Sequence, residues 1–154
     1  MPLSIILTGF FFNTCNAVMQ GFWLFFLCPD DYYPISWLWS PQFIIGTVIF
    51  LTGMVINMAA DKSIRNLRTD DKDNNYYLPK GKLFEKINSA NYFGEIIEWC
   101  GFAILSWSFA GLVFVIWSLA NIIPRAERVY ERYTQFWGED FTKLKRYKIF
   151  PFIY

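Results

Sequence analysis

The chain has 154 residues, of which 55% are hydrophobic and 21% aromatic, with only 18% charged. Soluble domains carry roughly 25% charged residues, and they scatter them along every exposed helix face. Here all fourteen Lys and Arg fall within 62–86 and 125–148, while 1–29 and 32–60 carry no charge. The sequence therefore describes an all-α, multi-pass transmembrane bundle forming a single membrane domain over 1–154. A net charge of +1 gives no basis for nucleic-acid binding. The absence of histidine excludes Ser-His-Asp and Cys-His catalysis and most zinc sites. Cys15, Cys28 and Cys100 form no CxxC pair and no metal site is expected.

Residues 3–27 form the first apolar run, long enough to cross a bilayer. With no basic n-region and no small-residue cleavage site, it reads as a retained span rather than a signal peptide. Residues 28–42 hold Pro29, Pro34 and Pro41 with Tyr32, Tyr33, Trp37 and Trp39, the composition of an interfacial loop. Residues 43–60 form the second span, expected to continue as a helix into Arg68. Residues 69–82 are a polar loop. Residues 84–123 are too long for one span, and SWSFAG (106–111) marks the expected turn between two helices. The last helix is expected to leave the membrane into 125–133, followed by a basic tail ending in PFIY.

About four spans follow. The loop at 28–42 has no Lys or Arg, whereas 61–86 and the tail have seven each. The positive-inside rule puts both basic segments, and with them both termini, in the cytosol.

Three groups of residues can carry chemistry. Gly53, Asn57, Asp61, Arg65 and Arg68 are spaced 4, 4, 4 and 3 apart, along one helical stripe. Asn57 and Asp61 suit a ribose or amide, and the arginines suit phosphate; an ordinary helix end with an Asp61–Arg65 pair is the plainer reading. Asn91, Glu95 and Glu98 share another face among apolar neighbours. Carboxylates near lipid depth need a polar cavity or a partner, the alternative being an interfacial position beside Lys82 or Lys86. The third group is Arg125, Arg128, Tyr130, Arg132 and Tyr133, with Lys143, Lys145, Arg146 and Lys148 beyond. Arg125 and Tyr133 suit an anionic ligand, and the distal cations suit anionic membrane lipid. Neither GxGxxG nor GxxxxGK[ST] occurs, so a nucleotide would have to be held between helices.

GMVINMAADKSIRNLR (53–68), LPKGKLFEKINSANYFGEIIEWCGFAILSWS (78–108) and the closing PFIY resemble the C-terminal half of steroid 5-alpha-reductases. The resemblance implies a helical protein of the endoplasmic reticulum membrane that uses NADPH. It would reduce the 4,5 double bond of a 3-oxo-4-ene steroid, with hydride to C5 and a proton to C4. Carried over by position, the cofactor-contacting residues are Asn57, Asp61, Arg68, Tyr76, Asn91, Glu95, Arg125 and Tyr133. Lys82 stands where the family usually has a second glycine, and the loop TDDKDNN is more acidic. Further N-terminal spans, carrying a Glu and a Tyr that grip the steroid 3-oxo group, have no counterpart here. No catalytic residue is therefore assigned. The chain alone is expected to bind NADPH weakly and to reduce steroid poorly or not at all. A sister reductase of enoyl-CoA or polyprenol substrates, or an inactive membrane fragment, is the alternative.

Overall fold

The structure, a computed structural model, describes residues 3–67 and 77–154, and only the backbone of Ile5 and Lys82. Four long helices make up the bundle: α1 (Leu3–Phe22), α2 (Pro41–Arg65), α3 (Ala90–Ser106) and α4 (Phe109–Trp137). A short α5 (Glu139–Thr142) follows. The expected all-α bundle is what forms; among the described residues the only β-type pairing is a single parallel bridge between Ile87 and Tyr147.

Among the described residues, three helical segments are long and apolar enough to cross a bilayer: Ile6–Leu27, Pro41–Arg65 and Phe109–Trp137. The fourth expected span, α3, has 17 residues. At 1.5 Å per residue it is about 26 Å long, short of a hydrocarbon layer of about 30 Å. Its charged pair, Glu95 and Glu98, occupies its middle. The first run ends in a π-helical turn, Trp23–Leu27.

Helix starts follow from local chemistry. Ser40 caps α2 by accepting from the Phe43 N–H at 3.2 Å, with Pro41 in the first turn, where its missing N–H costs nothing. Ser108 caps α4 by accepting from the Gly111 N–H at 3.0 Å. The turn between α3 and α4 is thus shorter than 106–111, consisting of Trp107 and Ser108. Helix α2 ends at Arg65, with Asn66 as its cap, so it stops before Arg68.

The closest packing is between α2 and α3, which run antiparallel. Gly46 lies against Leu105, Phe50 against Gly101, Gly53 against Glu98, and Asn57 against Gly94. The glycines recur every seven residues on both helices, alternating across the seam. A Cβ on Gly53 would come within 2.7 Å of the Glu98 Cα, and one on Gly101 within 2.6 Å of the Phe50 Cα. Without water to drive association, membrane helices pack by such close backbone approach.

The far end of α3 is closed by the loop after α1. The Tyr32 hydroxyl donates to the Trp107 carbonyl at 2.8 Å, the Tyr33 hydroxyl to Ser106 at 2.6 Å, and the Trp37 indole to Leu105 at 3.2 Å. Trp23 donates to the Tyr33 oxygen at 3.1 Å. The last carbonyls of a helix have no partner within it. Here interfacial aromatics supply the donors, and Trp107 turns the chain at φ 45°.

Candidate functional site

The two helices that bear Glu95 and Arg125 converge on a cleft of about 700 Å³ between α1, α3 and α4. That lies within the usual range of small-molecule sites, roughly 300–1,000 Å³. Glu95 and Trp99 come from α3; Ser118, Asn121 and Arg125 from α4; Phe10, Phe12 and Asn13 from α1. On α4 the spacing 118, 121, 125 places these side chains on one face, about 10 Å from first to last.

The cleft changes character along that length. Along α4 the lining runs from exposed Arg125 through Asn121 and Ser118 to Phe114; α3 adds Glu95 and, one turn on, Trp99, and α1 adds Phe10 and Phe12. The Trp99 ring meets Phe114 edge-on with centroids 4.6 Å apart. Phe12 reaches Trp117 at 4.5 Å and Phe114 at 5.7 Å, and Gln20 donates to the Ala110 carbonyl at 3.2 Å, which ties α1 to α4.

One polar atom of the lining, the Ser118 Oγ, is buried with no protein hydrogen-bond partner, while the Trp99 indole interacts with the Glu95 carboxylate one turn before it. Buried polar atoms are rarely left without a partner.

Helix α2 joins this site from the other side of α3. The charges of Arg125, Glu95, Asp61 and Arg128 all act on the hydroxyl of Tyr92 in the first turn of α3. Asp61, Glu95 and Arg125, residues of three helices, therefore share one end of the bundle. Asn57 packs against Gly94, one residue before Glu95, and Asn91 is half-buried in the first turn of α3. Glu98 diverges from this group: its backbone lies on Gly53, and it is not part of the cleft lining. Arg65, at the end of α2, is exposed.

Tyr133 is eight residues beyond Arg125, about 12 Å along the helix. Its ring lies 5.7 Å from Phe141, and it feels the charge of Arg146. It stands beside the tail rather than in the cleft. Arg68 and Tyr76 fall outside the described residues.

Several features of the site carry little local signal in the chain. Ser118 and Asn121 lack any local motif, and their signal was only a face shared with Arg125; Trp99 lies within the quoted 78–108 motif but was not singled out as a site residue. Arg146, grouped with the lipid-facing cations, is instead 7% exposed, and its Nε and Nη1 have no partner. Burial pulls its guanidinium below the usual arginine range.

The model of the 3-oxo-5-alpha-steroid 4-dehydrogenase family matches residues 1–154. The chain belongs to that family. Steroid 5-alpha-reductase DET2 of Solanum lycopersicum is 41% identical over 153 residues, 99% of this chain and 57% of that protein. DET2 of Arabidopsis thaliana is 36% identical over the same shares. The 3-oxo-5-alpha-steroid 4-dehydrogenase 1 of Homo sapiens is 38% identical over 154 residues, 100% of this chain and 57% of that protein. This member of the family thus spans a little over half the length of these relatives. The match extends through the tail, so the cleft and the elements around it all lie within the matched region.

Proposed function

We propose that the chain forms the cofactor-binding part of an NADPH-dependent reductase of the endoplasmic reticulum membrane. The reaction is reduction of the 4,5 double bond of a 3-oxo-4-ene steroid, with hydride to C5 and a proton to C4. The observation that carries this reading is the change of lining along the α1–α3–α4 cleft, from Glu95 and Arg125 at one end to Trp99 and Phe114 a turn or more further along α3 and α4. A phosphorylated cofactor and an apolar substrate need those two environments in that order. The relatives' names supply the substrate class.

NADPH, when bound, supplies the hydride. The residues present fit it by chemistry. Arg125 offers a fixed positive charge at the mouth, suited to phosphate oxygens. Asn57, Asp61 and Asn91 offer amide and carboxylate groups suited to ribose hydroxyls, and Glu95 can accept from an amide. Ser118 provides an unpartnered hydroxyl in the cleft lining. Buried Phe114 and half-buried Phe12 wall the cleft and exclude water there, which strengthens the polar contacts beside them. Arg68 and Tyr76, which lie outside the described residues, and Tyr133, which stands beside the tail and not in the cleft, belong to the proposed cofactor set by the family resemblance alone. The basic end of the bundle faces the cytosol in this reading, with both termini on that side.

Microsomes carrying the full gene product provide the test. Conversion of a 3-oxo-4-ene steroid with NADPH, but not of an enoyl-CoA or a polyprenol, is the expected result. Turnover of either of the other substrates instead would reassign the reaction within the same architecture.

A further inference from the structure

The tail after α5 returns to the bundle and is fastened at two places. Its backbone pairs with the segment leading into α3. The Asn88 N–H donates to the Tyr147 carbonyl at 2.7 Å, the Ser89 N–H to Lys148 at 3.1 Å, and the Tyr147 N–H to Lys86 at 2.9 Å. Ser89 is the residue that begins α3. Beyond the pairing, Ile149 is fully buried against Ile96 of α3 and Ile122 and Ala126 of α4.

The second fastening is to α4. Lys148 Nζ donates to both carboxylate oxygens of Glu127, at 2.7 and 2.6 Å. The Tyr154 hydroxyl donates to the same carboxylate. The ammonium also sits over two rings, 4.5 Å from the centroid of Tyr154 and 5.6 Å from that of Tyr130. Lys148 therefore joins two helices through one residue: its carbonyl holds the start of α3 and its side chain holds α4.

Glu127 follows Arg125 by two residues, so on a helix it faces about 200° away. It does not share the cleft-lining face. Yet the strut it anchors spans the same two helices whose separation sets the mouth of the cleft.

We propose that Glu127 is a positioning residue: by gripping Lys148 and Tyr154 it locks the tail as a strut between α3 and α4, and so fixes Asn91 and Glu95 relative to Arg125. This rests on the reading of the cleft as the NADPH site. A surface ion pair alone is worth little. The strut's effect comes from geometry, because misplaced binding groups lose contacts without any contact being deleted.

The experiment uses the whole chain in lipid nanodiscs, with two readouts. Hydrogen exchange of the Asn88, Ser89 and Tyr147 amides reports on the strut without any ligand; NADPH titration reports on the site. Glu127→Gln is expected to speed exchange at those amides and raise the NADPH Kd about tenfold, equivalent to ~1.4 kcal/mol. Lys148→Arg should preserve both readouts, and Glu127→Lys combined with Lys148→Glu should recover both. Recovery by the exchanged pair separates positioning from a folding defect. Faster exchange with NADPH affinity within about twofold of the wild type overturns the proposal, since that is well below ~1 kcal/mol. Unchanged exchange in Glu127→Gln overturns it as well. If the wild-type chain binds no NADPH, the cofactor reading fails and the strut's role in it falls too, while the exchange data show separately whether the clasp forms.

Discussion

Gly94 of α3 and Asn57 of α2 are in backbone contact: a Cβ on Gly94 would come within 2.8 Å of the Asn57 Cα and 2.9 Å of the Gly53 carbonyl oxygen. The contact places the polar stripe of α2 directly against the helix that bears Glu95. Gly94→Ala must push the two helices apart. Overpacking of this kind costs about 1–3 kcal/mol. Denaturation in mixed detergent should show a lowered midpoint for Gly94→Ala. Gly9→Ala, where the new Cβ meets nothing within 4 Å, should remain within about 1 kcal/mol of the wild type.

The aromatic clamp on the end of α3 gives a second prediction. Tyr33→Phe removes the donor to the Ser106 carbonyl and the acceptor of the Trp23 indole. Leaving such groups unmade at a partly buried site costs about 1–3 kcal/mol. The same denaturation series should register that loss for Tyr33→Phe. An unchanged midpoint would mean that water or lipid headgroups serve those carbonyls equally well.

The tail clasp predicts a pH dependence. Hydrogen bonding to Glu127 raises the Lys148 ammonium above the ordinary lysine range, and it raises the Tyr154 phenol above the ordinary tyrosine range. Both groups hold their protons more tightly when folded. Their stabilising contribution is thus complete below the ordinary Lys and Tyr values, about 10, and is lost as pH rises through the raised folded values. Charged or titratable neighbours of the clasp are Glu127, Lys148, Tyr154 and Tyr130. Hydrogen bonds from Lys148 and Tyr154 hold the Glu127 carboxyl below the ordinary carboxylate range, so its contribution is lost as pH falls through that lowered value. Thermal unfolding in detergent should show the tail loosening in the alkaline range and again in acid, and Glu127→Gln should flatten both limbs.

Much of the fold could be read from the chain because membrane spans are local signals. The charge-free stretches 1–29 and 32–60 marked two helices, and Glu95 and Arg125 stood out as charges beside apolar runs. What escaped were long-range contacts. Ile87 and Tyr147 pair across sixty residues, and nothing near 146 announces that this arginine, unlike Lys143 and Lys145, is buried. The tail looked like a lipid-facing basic segment because its charges dominate its composition. Its one decisive apolar residue, Ile149, is surrounded by ordinary hydrophobics. Helix α2 ended three residues early because Asn66 caps it, a choice that local propensity leaves open. The glycine repeat was visible at Gly53 as a place of close approach, but its alternation with Gly94 and Gly101 appears only once the two helices are paired.

The site itself predicts coupled effects. Glu95 and Arg125 line one cleft mouth, so substitutions there should not act independently. Residues that share a ligand or a network usually show coupling of about 0.5–3 kcal/mol. Glu95→Gln and Arg125→Met are each expected to weaken NADPH binding about tenfold or more, and the double variant should lose less than the sum. Full additivity would place the two residues in separate sites.

The most direct measurement is an equilibrium titration of NADPH against the whole chain in nanodiscs, followed by Trp99 fluorescence in a variant whose other indoles are replaced. Saturable quenching that is weakened by Arg125→Met and left intact by Arg65→Met is the predicted result. The absence of quenching, or identical isotherms for the wild type and Arg125→Met, would contradict the assignment of this cleft to the cofactor.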